Sequence, residues 1–118
     1  MIPNNNLQIF MKIKLNQALL KMDGEKMFKE ELKDNKMVET KNEFQLKDAC
    51  VNSLMANVEK EEIDGVEKMK RYLLATKIQK ANELDLKSEE ITKLKEIIGK
   101  AYGVMIVGQA YEMLEGKK

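Results

Sequence analysis

The chain has 118 residues, with 21 lysines plus arginines against 20 acidic residues and no histidine. That length suits one domain with a modest core needing neither disulfides nor metal. Charge is balanced along it, 10 basic and 9 acidic residues in 1–60 and 11 of each in 61–118, which counts against a dedicated nucleic-acid binder relying on clustered positive charge.

Lacking histidine removes His-dependent triads and most zinc sites. No stretch reaches the roughly 18–20 apolar residues that cross a bilayer. A single cysteine, Cys50, excludes an intramolecular disulfide, and without a signal-peptide pattern the expected compartment is the cytoplasm.

Residues 1–10, with Pro3 and the run Asn4 to Asn6, read as a flexible tail ahead of a single α+β domain over 11–118. Met11 opens an apolar and basic alternation that runs to Leu15 and is a candidate second start. Residues 9–20 are rich in Ile, Leu and Phe, and Asp23 with Gly24 is a two-residue turn signal, since both tolerate positive φ. Together these predict a β-hairpin over about 13–30. From Lys29 to Asn42 the chain is nearly all charged or polar, with Leu32, Met37 and Val38 as apolar anchors. This stretch reads as a mobile loop or a ragged second hairpin turning at Asp34 and Asn35, and it is a second candidate contact surface.

The periodicity then becomes helical. Phe44, Leu46, Ala49, Cys50, Leu54 and Met55 fit one face of a helix over about 46–57. After a break from Glu59 to Asp64, Asp64 and Glu67 match a capping box. The helix that follows runs to about Asn82, with a predicted apolar stripe of Val66, Met69, Leu73 and Ile78, widened by Tyr72, Leu74, Ala75 and Ala81. Glu83 to Leu86 reads as a bridge or brief strand. Ser88 is placed as the cap of a third helix, with Glu89 and Glu90 at its positive end and Ile91, Leu94, Ile97 and Ile98 on its stripe. Gly99 and Gly103 interrupt the pattern, and residues 101–115 are expected to form a fourth helix, with a buried strand over Val104 to Val107 as the alternative reading. The expected fold class is therefore α+β and predominantly helical, an N-terminal β-hairpin followed by about four helices.

Several constellations bear on chemistry. Gly103 and Gly108 have the glycine spacing of a phosphate-binding loop, but Gln109 and Ala110 stand where its lysine and hydroxyl belong. Helix packing or a kink explains the glycines better. The pairs Glu30–Glu31, Glu61–Glu62 and Glu89–Glu90 are adjacent, so on a helix they diverge by about 100° and form no shared site. Cys50 lies on an apolar stripe with no histidine to activate it and reads as core. No catalytic residue, metal site or cofactor is expected.

Two surfaces remain as binding candidates. Tyr102, Val104, Met105, Val107 and Tyr111 give the last helix more apolar surface than one side can bury, which fits a protein partner or a homo-oligomer. A central core helix would look the same. On the second helix, Lys70, Arg71 and Lys77, within the set that includes Lys68 and Lys80, could line a polar flank touching nucleic acid. A solvated face is the plainer reading.

The order of the blocks Leu46-Lys-Asp-Ala-Cys-Val-Asn-Ser-Leu54, Glu67-Lys-Met-Lys-Arg-Tyr72 and Ile98-Gly-Lys-Ala-Tyr-Gly-Val-Met-Ile-Val-Gly-Gln-Ala-Tyr111, after Met11-Lys-Ile-Lys-Leu-Asn-Gln17, resembles small proteins encoded by tailed phages and prophages. The resemblance spans residues 11–116. It implies an accessory role in a bacterial host cytoplasm and assigns no functional residue. The expected function is to bind and modulate a host or phage protein without catalysis. The alternatives are a DNA-transaction accessory factor, such as a small regulator or recombination cofactor, and a virion structural or assembly component.

Overall fold

The computed structural model describes residues 10–56 and 63–116. The predicted tail falls outside them except for Phe10, which is already in a strand. Glu61 and Glu62 also lie outside the described residues.

The elements run β1 (Phe10–Lys14), β2 (Phe28–Lys33), β3 (Lys36–Glu43), α1 (Leu46–Met55), α2 (Gly65–Gln79), β4 (Glu83–Lys87), α3 (Ser88–Ala101) and α4 (Val104–Leu114). This is an α+β fold with a β-hairpin ahead of four helices. The hairpin, however, is β2–β3 and not residues 13–30. The alternation beginning at Met11 is indeed a strand, with Ile13 and Leu15 buried and Lys12 and Lys14 outside. Its partner is distant in sequence: β1 pairs antiparallel with β4, Ile13 opposite Leu84 and Met11 opposite Leu86. Burying Ile13, Leu15 and Leu86 against the helices outweighs the local turn preference, since each fully buried aliphatic side chain contributes about 1.5–3 kcal/mol.

Asp23 and Gly24 do reverse the chain, with Gly24 at φ +89°, yet the reversal carries only an isolated bridge between Leu20 and Lys26. The extended hairpin turns instead at Asp34 and Asn35, with φ of 51° and 65°. Two positive-φ residues between paired Lys33 and Lys36 match the twist that a two-residue hairpin loop requires. Its ribbon stands clear of the core, with every residue from Lys29 to Glu39 exposed. It is tied down at its base, where Phe44 N–H donates to the Met27 carbonyl and Lys29 pairs with Asp48 at 3.0 Å. The Cα radius of gyration is 15.7 Å, above the about 13.5 Å expected for a compact chain of this length.

The helices share one hydrophobic core with the β1–β4 ribbon. α1 buries Leu46, Ala49, Cys50, Ser53 and Leu54, the i, i+3, i+4 spacing of one helix face. At its start the Asp48 carboxylate accepts from Gln45 N–H at 2.8 Å. α3 buries Ile91, Leu94, Ile97 and Ile98, the stripe read from sequence. Its first helical residue is Ser88, so the cap is Lys87, whose N–H is held by the Glu90 carboxylate at 2.9 Å. Extended residues Tyr102 and Gly103 separate α3 from α4.

Candidate interaction surfaces

α2 begins as its sequence implies, with the Asp64 carboxylate accepting from Glu67 N–H at 2.9 Å. The other half of the predicted capping box is replaced. Glu67 does not reach back; its carboxylate accepts from Arg71 Nε at 3.0 Å and from Lys93 Nζ on α3 at 2.7 Å. The Lys93 and Arg71 contacts hold the Glu67 carboxyl below the usual carboxylate range, against an opposing effect of burial.

The predicted stripe of α2 is split between two sides of the helix. Leu74, Ala75 and Ile78 are buried together with Arg71. Val66, Met69, Tyr72 and Leu73 are instead 66%, 57%, 52% and 55% exposed. At about 100° per residue, these four centre on the side of α2 opposite its buried face. α2 is thus apolar on two sides, and among the described residues only one side is buried.

Arg71, placed by sequence with Lys70 and Lys77 on one flank, is only 8% exposed and points inward to Glu67. Lys70 and Lys77 remain outside, on the rim of a groove of about 420 Å³ between α2 and α3 that Leu73, Lys87, Glu90 and Lys93 also line. Within it Lys77 pairs with Glu90 at 3.1 Å, and Lys93 on its wall pairs with Glu67 beyond it. The groove's positive charge is therefore partly neutralised by its own carboxylates.

The five residues singled out on the last helix separate by environment. Tyr102 and Val107 pack against the core. The Tyr102 ring meets Phe44 edge to face at 6.1 Å, and its hydroxyl accepts from Asn52 Nδ2 at 3.2 Å; burial raises its phenol above the usual value, partly offset by that hydrogen bond. The Tyr111 hydroxyl donates to the Lys95 carbonyl at 2.8 Å. Gly99 permits this approach, because a Cβ there would lie 2.9 Å from the Tyr111 hydroxyl oxygen. Met105 is partly buried, and Val104, at 91% exposed, is the one that stands fully in solvent. The helix is thus largely committed to its own fold.

Two features escaped the sequence reading. Gln109, which stands where a phosphate-binding loop has its lysine, clamps the loop after β1: its amide accepts from Leu20 N–H and donates to the Leu20 carbonyl, each at 2.7 Å. A surface glutamine gives no sequence signal for such a contact. The outward face of α2 did leave a signal, namely more apolar residues than one helix face holds.

Cys50 is fully buried, and burial pushes its thiol up to about 12, so it is not a nucleophile near neutral pH. Among the described residues, no group of three or more acidic or cysteine side chains converges as a metal site, and no helix is long and apolar enough to cross a membrane. Neither a protein-family profile, a curated protein nor a solved structure matches this chain.

Proposed function

We propose that this chain is a phage- or prophage-type accessory protein that binds and modulates another protein without catalysing a reaction itself, and that the outward face of α2 is its principal contact. The observation that carries this reading is the second apolar side of α2. Val66, Met69, Tyr72 and Leu73 lie within two turns and are all more than half exposed. Scattered apolar residues on a surface are ordinary, but a contiguous apolar stripe rimmed by charge marks a contact site. Methionine there adds an adaptable side chain suited to binding surfaces. The block resemblance to small phage proteins supports the accessory role and a bacterial host cytoplasm.

The DNA-accessory alternative is weakened by the inward turn of Arg71 and by the carboxylates that share the lysine groove. The test is a tagged pull-down from bacterial cells carrying the native gene, comparing wild type with a Met69→Glu, Leu73→Glu variant after nuclease treatment. A co-purifying protein held by wild type and lost from the variant is the expected result. Retention that is abolished by nuclease and insensitive to the variant would replace this reading with the DNA one.

A further inference from the structure

The β2–β3 hairpin is an arm with its own unpartnered apolar face. Cross-strand partners lie on one side of a ribbon, and residues two apart share that side. Leu32 opposite Met37 and Glu30 opposite Glu39 therefore form one face. Leu32 and Met37 are 69% and 62% exposed. Like charges set directly opposite each other destabilise a ribbon; Lys21 offsets Glu39 at 3.7 Å between exposed side chains, and Glu30 is left to favour an arriving cationic surface. The outward face of α2 has the complementary composition. Lys77 and Lys80 continue its apolar stripe four and seven residues beyond Leu73, and Lys70 flanks it, all exposed. Among the described residues, Glu30, Lys70 and Lys80 enter no intramolecular ion pair.

From this complementarity we infer that the occupant of the α2 face is the arm of a second copy of this chain, exchanged reciprocally in a two-fold dimer. Leu32 and Met37 of each arm lie on Val66, Met69 and Leu73 of the partner, with Glu30 and Glu39 toward Lys70 and Lys80. A two-fold axis makes the contact twice and closes the assembly, so each arm and helix pair must supply only half of the about 1,600 Å² of a standard stable interface. The inference rests on the reading of α2 as a contact surface and names what covers it. A different protein captured through α2 competes with the arm for the same face.

The test uses the purified full chain in sedimentation equilibrium and light scattering. Wild type is expected to dimerise in the micromolar range. Glu30→Lys with Glu39→Lys sets lysine against lysine in both contacts of its homodimer; Lys70→Glu with Lys80→Glu sets carboxylate against carboxylate. Each variant alone is expected to dimerise at least about tenfold more weakly. An equimolar mixture should recover near wild-type association as a heterodimer, since both of its contacts are again of opposite charge. Circular dichroism checks that each variant is folded, and an uncharged arm variant, Leu32→Ser with Met37→Ser, is expected to weaken association independently of any charge effect.

A wild-type chain that remains monomeric throughout overturns the inference while leaving intact any α2-dependent capture of a different protein. Charge variants that are weakened but not rescued on mixing overturn it. So does a dimer lost only through arm variants, as in edge-to-edge pairing of two arms, or only through Val104→Glu.

Discussion

The described residues form two antiparallel ribbons of two strands each, and they are built on opposite principles. β1–β4 joins strands from distant parts of the chain and is held by what lies on it, with Ile13, Leu15 and Leu86 almost wholly buried. β2–β3 joins neighbours in sequence and is held by its turn, with Leu32 and Met37 in solvent. A two-stranded hairpin is marginal in water without a packed face. The first ribbon is therefore part of the core, whereas the second depends on positive φ at Asp34 and Asn35 and on anchors at its base. The contrast teaches that pairing pattern alone says little about rigidity; cover decides it.

The largest effect that should sharpen this contrast is Leu86→Ala. Removing a fully buried side chain from the first ribbon is expected to lower global stability by about 3 kcal/mol, read as a shift of the urea midpoint. Leu32→Ala in the second ribbon, measured at concentrations too low for association, should stay within about 0.5 kcal/mol. Equal losses would mean that the arm is part of the core after all.

Next comes Glu67→Gln, which removes the carboxylate that joins Arg71 to Lys93 and should cost about 1–2 kcal/mol. The carboxyl of Glu67 titrates below its ordinary value in the folded protein. Its contribution is therefore full above the unfolded pKa of about 4.3 and is lost as pH falls through the lower folded value. Wild type should lose stability across that acid window more steeply than the variant, and parallel curves would remove Glu67 from the account. Glu43 at the arm base is likewise lowered, chiefly by its hydrogen bond from Lys26. Acid should accordingly loosen the arm, read as faster amide exchange in β2 and β3.

The smallest global effect is expected from Asn35→Val. A β-branched residue at φ 65° costs about 1–2 kcal/mol, but the loss falls on the arm. Amide protection in β2–β3 should disappear while the urea midpoint of the whole protein barely moves. A global shift as large as that of Leu86→Ala would break the comparison.

α3 was legible from its spacing because its apolar residues sit on a single stripe, and every one of them is buried. α2 was legible as a helix but not in orientation. With apolar residues on two sides, periodicity places Val66 and Leu73 in a stripe without saying which side the core takes. Leu74 and Ala75, read as mere widening, are the inner face. β1 was legible as a strand from the alternation at Met11 to Leu15, yet nothing local in that alternation points to Leu84 and Leu86. The strong turn at Asp23 and Gly24 drew the hairpin to the wrong place. At Asp34 and Asn35 the turn was visible, but the charged strands around it carry too few apolar residues to announce an extended ribbon. On the last helix, Tyr102 and Tyr111 were legible as apolar bulk. Their hydroxyl contacts with Asn52 and the Lys95 carbonyl depend on tertiary positions and could not be read from spacing.

Pairing β1 with β4 also sets a timetable for folding on the ribosome. Synthesis runs from the N-terminus, so β1 leaves the exit tunnel while its partner at Glu83 to Lys87 is still untranslated. Ile13 and Leu15 must remain uncovered until α1, α2 and then β4 have emerged. The β2–β3 arm, whose contacts are local, can close meanwhile, because short loops close early and long-range pairing comes late. The nascent chain thus presents its accessory ribbon before it owns a core, and the interval between the two is when β1 is most exposed to mispairing.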